Sequence, residues 1–325
     1  MGRPETSQRH TPVLVDDCLD MLAEGLPEGG GVLVDCTLGM GGHSEAALRR
    51  FEGIRLIGID RDPQAIELAS ERLAPFSDRF TAVRTTYDRV DEVVAEHSPT
   101  GRADAILMDL GVSSLQLDEA ERGFSYSADA PLDMRMDPTS GICAAELLNT
   151  ASEKELTRIL RVYGEERFAP RIAGLVVRRR AEKPLARTGE LVDIVRAAIP
   201  APARRTGGNP SKRTFQALRV AVNDELTILE RAVPAALRSL NLGGVLVVES
   251  YQSLEDRIVK DVLRAGSTVD APPGLPVIPE SMAPSLELLT RGARLADEAE
   301  IARNPRSASV RLRGARLVRE WKELS

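Results

Sequence analysis

The chain has 325 residues, room for one large domain or two ordinary ones, with 42% hydrophobic and 28% charged residues, the balance of a water-soluble folded protein. No run approaches the roughly 20 consecutive apolar residues of a membrane span, and the polar stretch Met1 to Gln8 lacks the apolar core of a secretory signal. Cys18, Cys36 and Cys143 stand too far apart in sequence for a metal-binding pair or a disulfide framework, so a cytoplasmic protein without metal or membrane attachment is expected. The net charge of −6 hides an uneven distribution. Between Pro170 and Arg219 twelve Lys/Arg face three acids, a window of +9 that leaves −15 for the rest of the chain. Such a segment is either a docking surface for a polyanion or a solvated helix face.

In chain order, short apolar strands are predicted at Val32–Cys36, Arg55–Ile59, Phe80–Arg84 and Ala105–Met108. Helical spacing separates them at Ser44–Phe51, Pro63–Leu73 and Arg89–Glu96, with Asp62-Pro63 as an N-cap followed by proline at the first helical position. Val/Ile/Leu-rich strands alternating with helices indicate a parallel sheet covered on both faces. From Leu115 to about Lys212 the rhythm stops, leaving helices at Ser152–Tyr163, Glu166–Arg180 and Thr188–Ile199 and a polar joint at Arg204–Ser211. A long helical run over Thr214–Leu240 is expected next, then a strand at Gly244–Ser250, a helix at Leu254–Arg264 and a Pro-rich joint at Ala271–Pro279. Strands at Leu286–Thr290 and Ser309–Leu317 come last. The expected fold is α/β: a doubly wound, mostly parallel sheet domain made of residues 1–114 and 213–325, interrupted by an all-helical insertion at 115–212.

The strongest local signal is DCTLGMGGHS, Asp35 to Ser44, between the first strand and the first helix of the sheet. Its glycines let backbone approach a ligand, and a helix N-terminus follows at once. Asp60 ends the second strand, where a carboxylate can accept both hydroxyl hydrogens of a ribose; the competing role, capping the next helix, is already taken by Asp62. A dinucleotide fingerprint wants a third glycine where Ser44 stands, and Asp35 suits the charged amino-acid end of S-adenosylmethionine. Asp109 ends the fourth strand, in DLGVSS, and is placed either to orient an acceptor amine toward a methyl donor or merely to cap the strand end.

These residues bring a family into view. The chain resembles the bacterial small-subunit ribosomal RNA cytosine N4-methyltransferases in HTPVL (His10–Leu14), GMGGHS (Gly39–Ser44), IDRDPQAI (Ile59–Ile66), DLGVSSLQLD (Asp109–Asp118) and ERGFSY (Glu121–Tyr126). The likeness continues through PLDMRMDP (Pro131–Pro138), YGEERFA (Tyr163–Ala169), RTFQALR (Arg213–Arg219), SLEDRIVK (Ser253–Lys260) and NPRSASVRLR (Asn304–Arg313). The resemblance implies a seven-stranded class I methyltransferase sheet, S-adenosyl-L-methionine as cofactor, and transfer of one methyl to the exocyclic amine of a decoding-region cytosine in small-subunit ribosomal RNA. By similarity Gly41, Gly42, His43, Asp60, Tyr87, Asp109 and Gln116 contact the cofactor, while Asp109 and Ser113 are the catalytic candidates. His43 as a helix-start cap and Tyr87 as core packing are the plainer alternatives. Oligomeric state is left open, a homodimer included.

Two departures stand out. DLGVSS carries neither proline nor aromatic ring, unlike the DNA amino-methyltransferases, so Phe124 and Tyr126 are the candidates for stacking on the base. Many relatives have Phe-His before SLEDR, whereas this chain has Tyr251-Gln252, and glutamine is no base at neutral pH. Two other functions compete: an RNA-binding ribosome-assembly factor with a vestigial cofactor site, and an NAD-dependent oxidoreductase. The oxidoreductase lacks a His/Lys/Tyr constellation to serve hydride transfer.

Overall fold

A computed structural model describes residues 12–204, 209–269, 279 and 282–321. His10 of the HTPVL segment, the glycine pair of the Arg204–Ser211 joint and nearly all of the Ala271–Pro279 joint lie outside the described residues. The chain divides into two compact units, Met1–Gly111 with Leu226–Ser325, and Val112–Glu225.

The first unit holds β1 (Val32–Asp35), β2 (Arg55–Asp60), β3 (Phe80–Arg84), β4 (Ala103–Asp109), β5 (Leu240–Ser250), β6 (Leu286–Leu288) and β7 (Arg311–Leu317). They form one sheet in the order β3-β2-β1-β4-β5-β7-β6. β1 to β5 run parallel, and β7 pairs antiparallel with β5 and β6. This is the class I methyltransferase arrangement, with its crossover between β1 and β4, the place where doubly wound sheets open a ligand crevice. Side-chain alternation explains why the strands are apolar on both sides. Val32, Val34, Ile106, Met108, Leu246 and Val248 enter one core, while Leu33, Ala105, Leu107, Val245 and Val247 enter the other.

Four helices precede or link the first strands: α1 (Val15–Ala23), α2 (Gly42–Arg50), α3 (Pro63–Arg72) and α4 (Val90–His97). The Asp62 carboxylate accepts from Gln64 N–H at 3.1 Å, so it is the cap of α3 that the Asp-Pro pair announced. No helix was expected where α1 lies, although Cys18, Leu19, Met21 and Leu22 give it a buried face.

In the second unit lie α5 (Ser114–Asp118), α6 (Ala144–Thr150), α7 (Glu153–Gly164), α8 (Ala169–Glu182), α9 (Thr188–Ala198), α10 (Ala201–Arg204) and α11 (Ser211–Asn223). Its core gathers Leu156, Ile159, Leu160, Ile172, Leu191, Phe215 and Leu218. The helices α7 and α11 cross so closely that a Cβ on Gly164 would lie 2.6 Å from the Arg213 carbonyl, which only glycine permits. The helical run expected over Thr214–Leu240 is made of two helices: Asp224 adopts φ 52°, and α12 (Glu225–Ser239) starts afresh. Because α11 packs with the second unit, the chain returns to the sheet after Glu225 and not at residue 213. The helices α13 (Ser253–Ser267) and α14 (Glu298–Arg303) complete the first unit.

Candidate functional site

Parallel neighbours β1 and β4 end side by side, at Asp35 and Asp109. Thr37 links the two ends: its backbone N–H donates to Asp35 Oδ1 at 3.1 Å, and its Oγ1 accepts from the Asp109 N–H at 2.7 Å. Ser44 Oγ donates to Asp35 Oδ2 at 2.7 Å, so the residue that broke the dinucleotide fingerprint instead anchors the loop to the first strand. Burial nonetheless raises the Asp35 carboxyl above its ordinary range, against the donors that favour its charge.

Between these anchors the glycine loop turns tightly. Gly41 sits at φ +75° as the N-cap of α2, a conformation that L side chains rarely adopt. Asp60 Oδ2 accepts from Gly39 N–H at 2.8 Å and Oδ1 from Asp62 N–H at 2.9 Å, so this carboxylate ties the loop to the end of β2. Burial pushes its pKa up to about 6 despite both donors. Each carboxylate oxygen offers about two lone pairs, and one on each is left for ribose hydroxyls.

Behind the loop, the buried imidazole of His43 meets acceptors at both nitrogens. Nδ1 lies 3.6 Å from Asp109 Oδ2, and Nε2 lies 3.0 Å from the Val13 carbonyl and 3.5 Å from Glu249 Oε2. The Tyr251 hydroxyl donates to Asp109 Oδ1 at 2.9 Å, and 24% of the Asp109 side chain remains exposed. Burial raises the carboxyl of Asp109, with His43 and the Tyr251 hydroxyl acting the other way, and it raises the Tyr251 phenol well above its usual range. Glu249, at the end of β5, is fully buried, and burial, then the charge of Asp109, drives its carboxyl well upward. Asp35, Asp109 and Glu249 surround the His43 imidazole, and Asp60 lies one strand further along at the end of β2, so four carboxyl groups gather at this end of the sheet. Such a site favours a cationic ligand, and the sulfonium and ammonium of S-adenosylmethionine supply that charge.

The structure thus brings Gly41, Gly42, His43, Asp60 and Asp109 together in the first unit, with Tyr87 half-buried against the sheet core just past β3. Ser113 and Gln116 fall in the second unit, where they form a reciprocal capping box on α5: Gln116 N–H donates to Ser113 Oγ at 3.3 Å, and Ser113 N–H to Gln116 Oε1 at 3.1 Å. Phe124 is buried and Tyr126 packs edge-on to Phe215 with centroids 5.7 Å apart, so both serve the second unit's packing. Sequence reasoning missed Thr37, Glu249 and Cys18, and saw Tyr251 only as a departure. Its hydroxyl is what phenylalanine lacks, and the neighbouring Gln252 caps α13 through Glu255, at 2.6 Å from Nε2 to Oε1. No helix among the described residues is long and apolar enough to cross a membrane.

Residues 7–318 match the model of the MraW methylase family. The chain is 60% identical to the ribosomal RNA small subunit methyltransferase H of Beutenbergia cavernae, over 95% of this chain and 93% of that protein. It is 56% identical to the protein of the same name from Streptomyces avermitilis, over 97% and 99% of the two chains. With the one from Nocardia farcinica it shares 58% identity over 98% and 99%. A match that spans the loop, both strand-end acids and the second unit removes the nicotinamide reading: the chain belongs to the MraW methylase family, and its cofactor is S-adenosylmethionine.

Proposed function

We propose that this protein methylates the exocyclic N4 amine of a cytosine in the decoding region of small-subunit ribosomal RNA. The names of its relatives supply the ribosomal substrate, and the sequence resemblance supplies the cytosine amine. The observation that carries the reading is Asp109, a carboxylate at the mouth of the β1–β4 crossover, held by the Tyr251 hydroxyl and still partly open. Bound S-adenosylmethionine supplies an electrophilic methyl group. The protein's part is alignment. A cytosine amine has its lone pair delocalised into the ring, and a carboxylate that accepts one N–H turns the lone pair out of that conjugation. Asp109 then takes the proton that the amine must lose, and the exposed part of its side chain passes it to solvent. Asp60 holds the ribose, Gly41, Gly42 and His43 contact the cofactor from the loop, Tyr87 sits at the adenine and Asp109 flanks the methionine end. Gln116 keeps its proposed cofactor contact by the same resemblance. The Ser113 hydroxyl is already occupied as a helix cap, so the amine is assigned to Asp109 first and Ser113 second.

An RNA substrate needs cations, and the second unit provides them. Several of the twelve in the basic window are already engaged: Arg180 Nη1 donates to the carbonyls of Leu148 and Ala151 at 2.6 and 2.7 Å, Arg187 pairs with Asp129 at 2.6 Å, and Arg219 pairs with Glu225. Arg171, Arg178, Arg196 and Lys212 are exposed and carry no ion pair among the described residues. They form the proposed phosphate-gripping set, which also serves to offset the few kcal/mol that unstacking one base costs.

The direct test is nucleoside analysis of small-subunit RNA after incubation with the protein and labelled S-adenosylmethionine. Label in N4-methylcytidine is expected. Label in 5-methylcytidine or in a purine overturns the amine assignment, and cofactor binding without any transfer to free RNA or assembled subunits favours an assembly factor with a vestigial site. Asp109→Asn, which keeps an acceptor for Tyr251, is expected to lower turnover by a hundredfold or more, about 3 kcal/mol. Its melting temperature should stay near the parent's, and a fully active variant would remove Asp109 from the chemistry.

A further inference from the structure

Glu249 is the least explained side chain in the first unit. It is fully buried, and neither carboxylate oxygen has a nitrogen or oxygen donor in hydrogen-bond geometry; the weak Cys18 thiol offsets little of its burial. Leaving a buried acid so is costly, and a missing ion is among the ordinary reasons for one. Two other metal-ligating groups converge on it. Cys18 Sγ, a His43 ring nitrogen and a Glu249 oxygen lie within 4.8 Å of one another, and all three residues are buried. The three are far apart in sequence, which is why spacing gave no hint of a site; α1, the start of α2 and the end of β5 bring them together.

We propose that Cys18, His43 and Glu249 bind a transition-metal dication of the zinc class. A thiolate, an imidazole and a carboxylate are the three side-chain donors such ions take, whereas Mg2+ and Ca2+ require oxygen alone. In a tetrahedral site with bonds of about 2.0–2.3 Å, neighbouring donors stand roughly 3.5 Å apart. The His43 Nε2–Glu249 Oε2 separation of 3.5 Å already has that value, and Cys18 Sγ lies within 4.8 Å of both partners. The far nitrogen of His43 faces the Asp109 carboxylate at 3.6 Å, the kind of outer partner that fixes a metal-bound imidazole. The Val13 carbonyl, 3.0 Å from Nε2, is at hand for the fourth position. Binding releases the protons of Cys18 and Glu249 to solvent and leaves a thiolate and a carboxylate on the ion. Methyl transfer from a sulfonium needs no Lewis acid, so the ion's task is to fasten α1 and the glycine loop to the sheet. The site does not depend on which base of which RNA is methylated.

Cobalt(II) is the probe. The full-length protein, stripped with a chelator and titrated with Co2+, is expected to bind one equivalent and to show thiolate-to-cobalt charge transfer together with the visible bands of a tetrahedral ion. Cys18→Ala should lose the charge-transfer band, and Glu249→Gln should weaken cobalt binding by roughly tenfold or more. One equivalent of Zn2+ should raise the melting temperature of the stripped parent but not that of Cys18→Ala. A parent without the band overturns the proposal. So does a band that survives Cys18→Ala, because the cobalt then sits on Cys36 or Cys143. If either variant fails to fold, the stripped parent still decides: an equal melting temperature with and without Zn2+ refutes the site.

Discussion

At the scale of the residue, burial rather than identity sets the chemistry of the acids around the loop. Asp60, with its pKa near 6, must be ionised to accept two ribose hydroxyls. Cofactor affinity is therefore expected to hold steady above about pH 7 and to fall as pH drops through 6, measured by calorimetry from pH 8 to 5. Asp60→Asn should bind weakly at every pH and lose that slope; a parent whose affinity stays flat to pH 5 contradicts the ribose role. The same shift acts oppositely on the stability of the free protein. The folded state holds this proton more tightly than the unfolded chain, so the contribution is present in full below the ordinary carboxylate value and is lost as pH rises through about 6. Tyr251 gives a second test. Tyr251→Phe removes one donor from Asp109, about 1 kcal/mol of orientation, and turnover should fall by up to about tenfold with cofactor affinity little changed. Turnover equal to the parent's would reduce Tyr251 to packing.

Among the elements, α11 shows how one buried side chain can hold a loop. Asn223, at its C-terminal end, accepts from Met136 N–H at 2.7 Å and donates to the carbonyls of Met134 and Arg219 at 2.8 and 2.9 Å. Met134 itself is strained, at φ 63°, so the PLDMRMDP segment depends on that amide to keep its turn. Asn223→Ala strands a buried N–H and a buried carbonyl, and chemical denaturation is expected to show a loss of about 2–4 kcal/mol. A loss under about 0.5 kcal/mol would mean that water replaces the amide. The capping box of Ser113 and Gln116 belongs to this scale as well: those two residues were singled out for chemistry, and they form a reciprocal cap on the start of α5.

For the whole molecule, the division of charge is the testable feature. Reversing Arg178, Arg179 and Arg180 together would be a poor experiment, since Arg180 caps the last turn of α6. Reversal of Arg171, Arg178, Arg196 and Lys212 avoids that damage. RNA affinity should fall, and the slope of its logarithm against log salt should flatten by about 0.7–0.9 for each phosphate that is no longer neutralised. Cofactor affinity should not change, because none of these four residues belongs to the proposed cofactor contacts. An unaltered salt slope would make the +9 window a solvated surface and send the search for the RNA-binding face elsewhere.

The sheet and the loop were legible from the amino acids alone. Alternating apolar strands and helices, the Asp62-Pro63 cap and the glycines before α2 are local patterns, each set by residues within a turn or a strand of one another. Asp60 and Asp109 could be read for the same reason, since a strand-end acid declares its place by its position in the strand. Whatever depends on pairs distant in sequence waited for the packed chain. Packing placed Tyr251 on Asp109, gathered Cys18, His43 and Glu249, and moved the return to the sheet from residue 213 to beyond Glu225. It also sorted the basic window into cations spent on carbonyls and carboxylates and cations left at the surface. Periodicity reports which face of an element is buried, but not which element comes to cover it, and these contacts are made only once the covering element has packed.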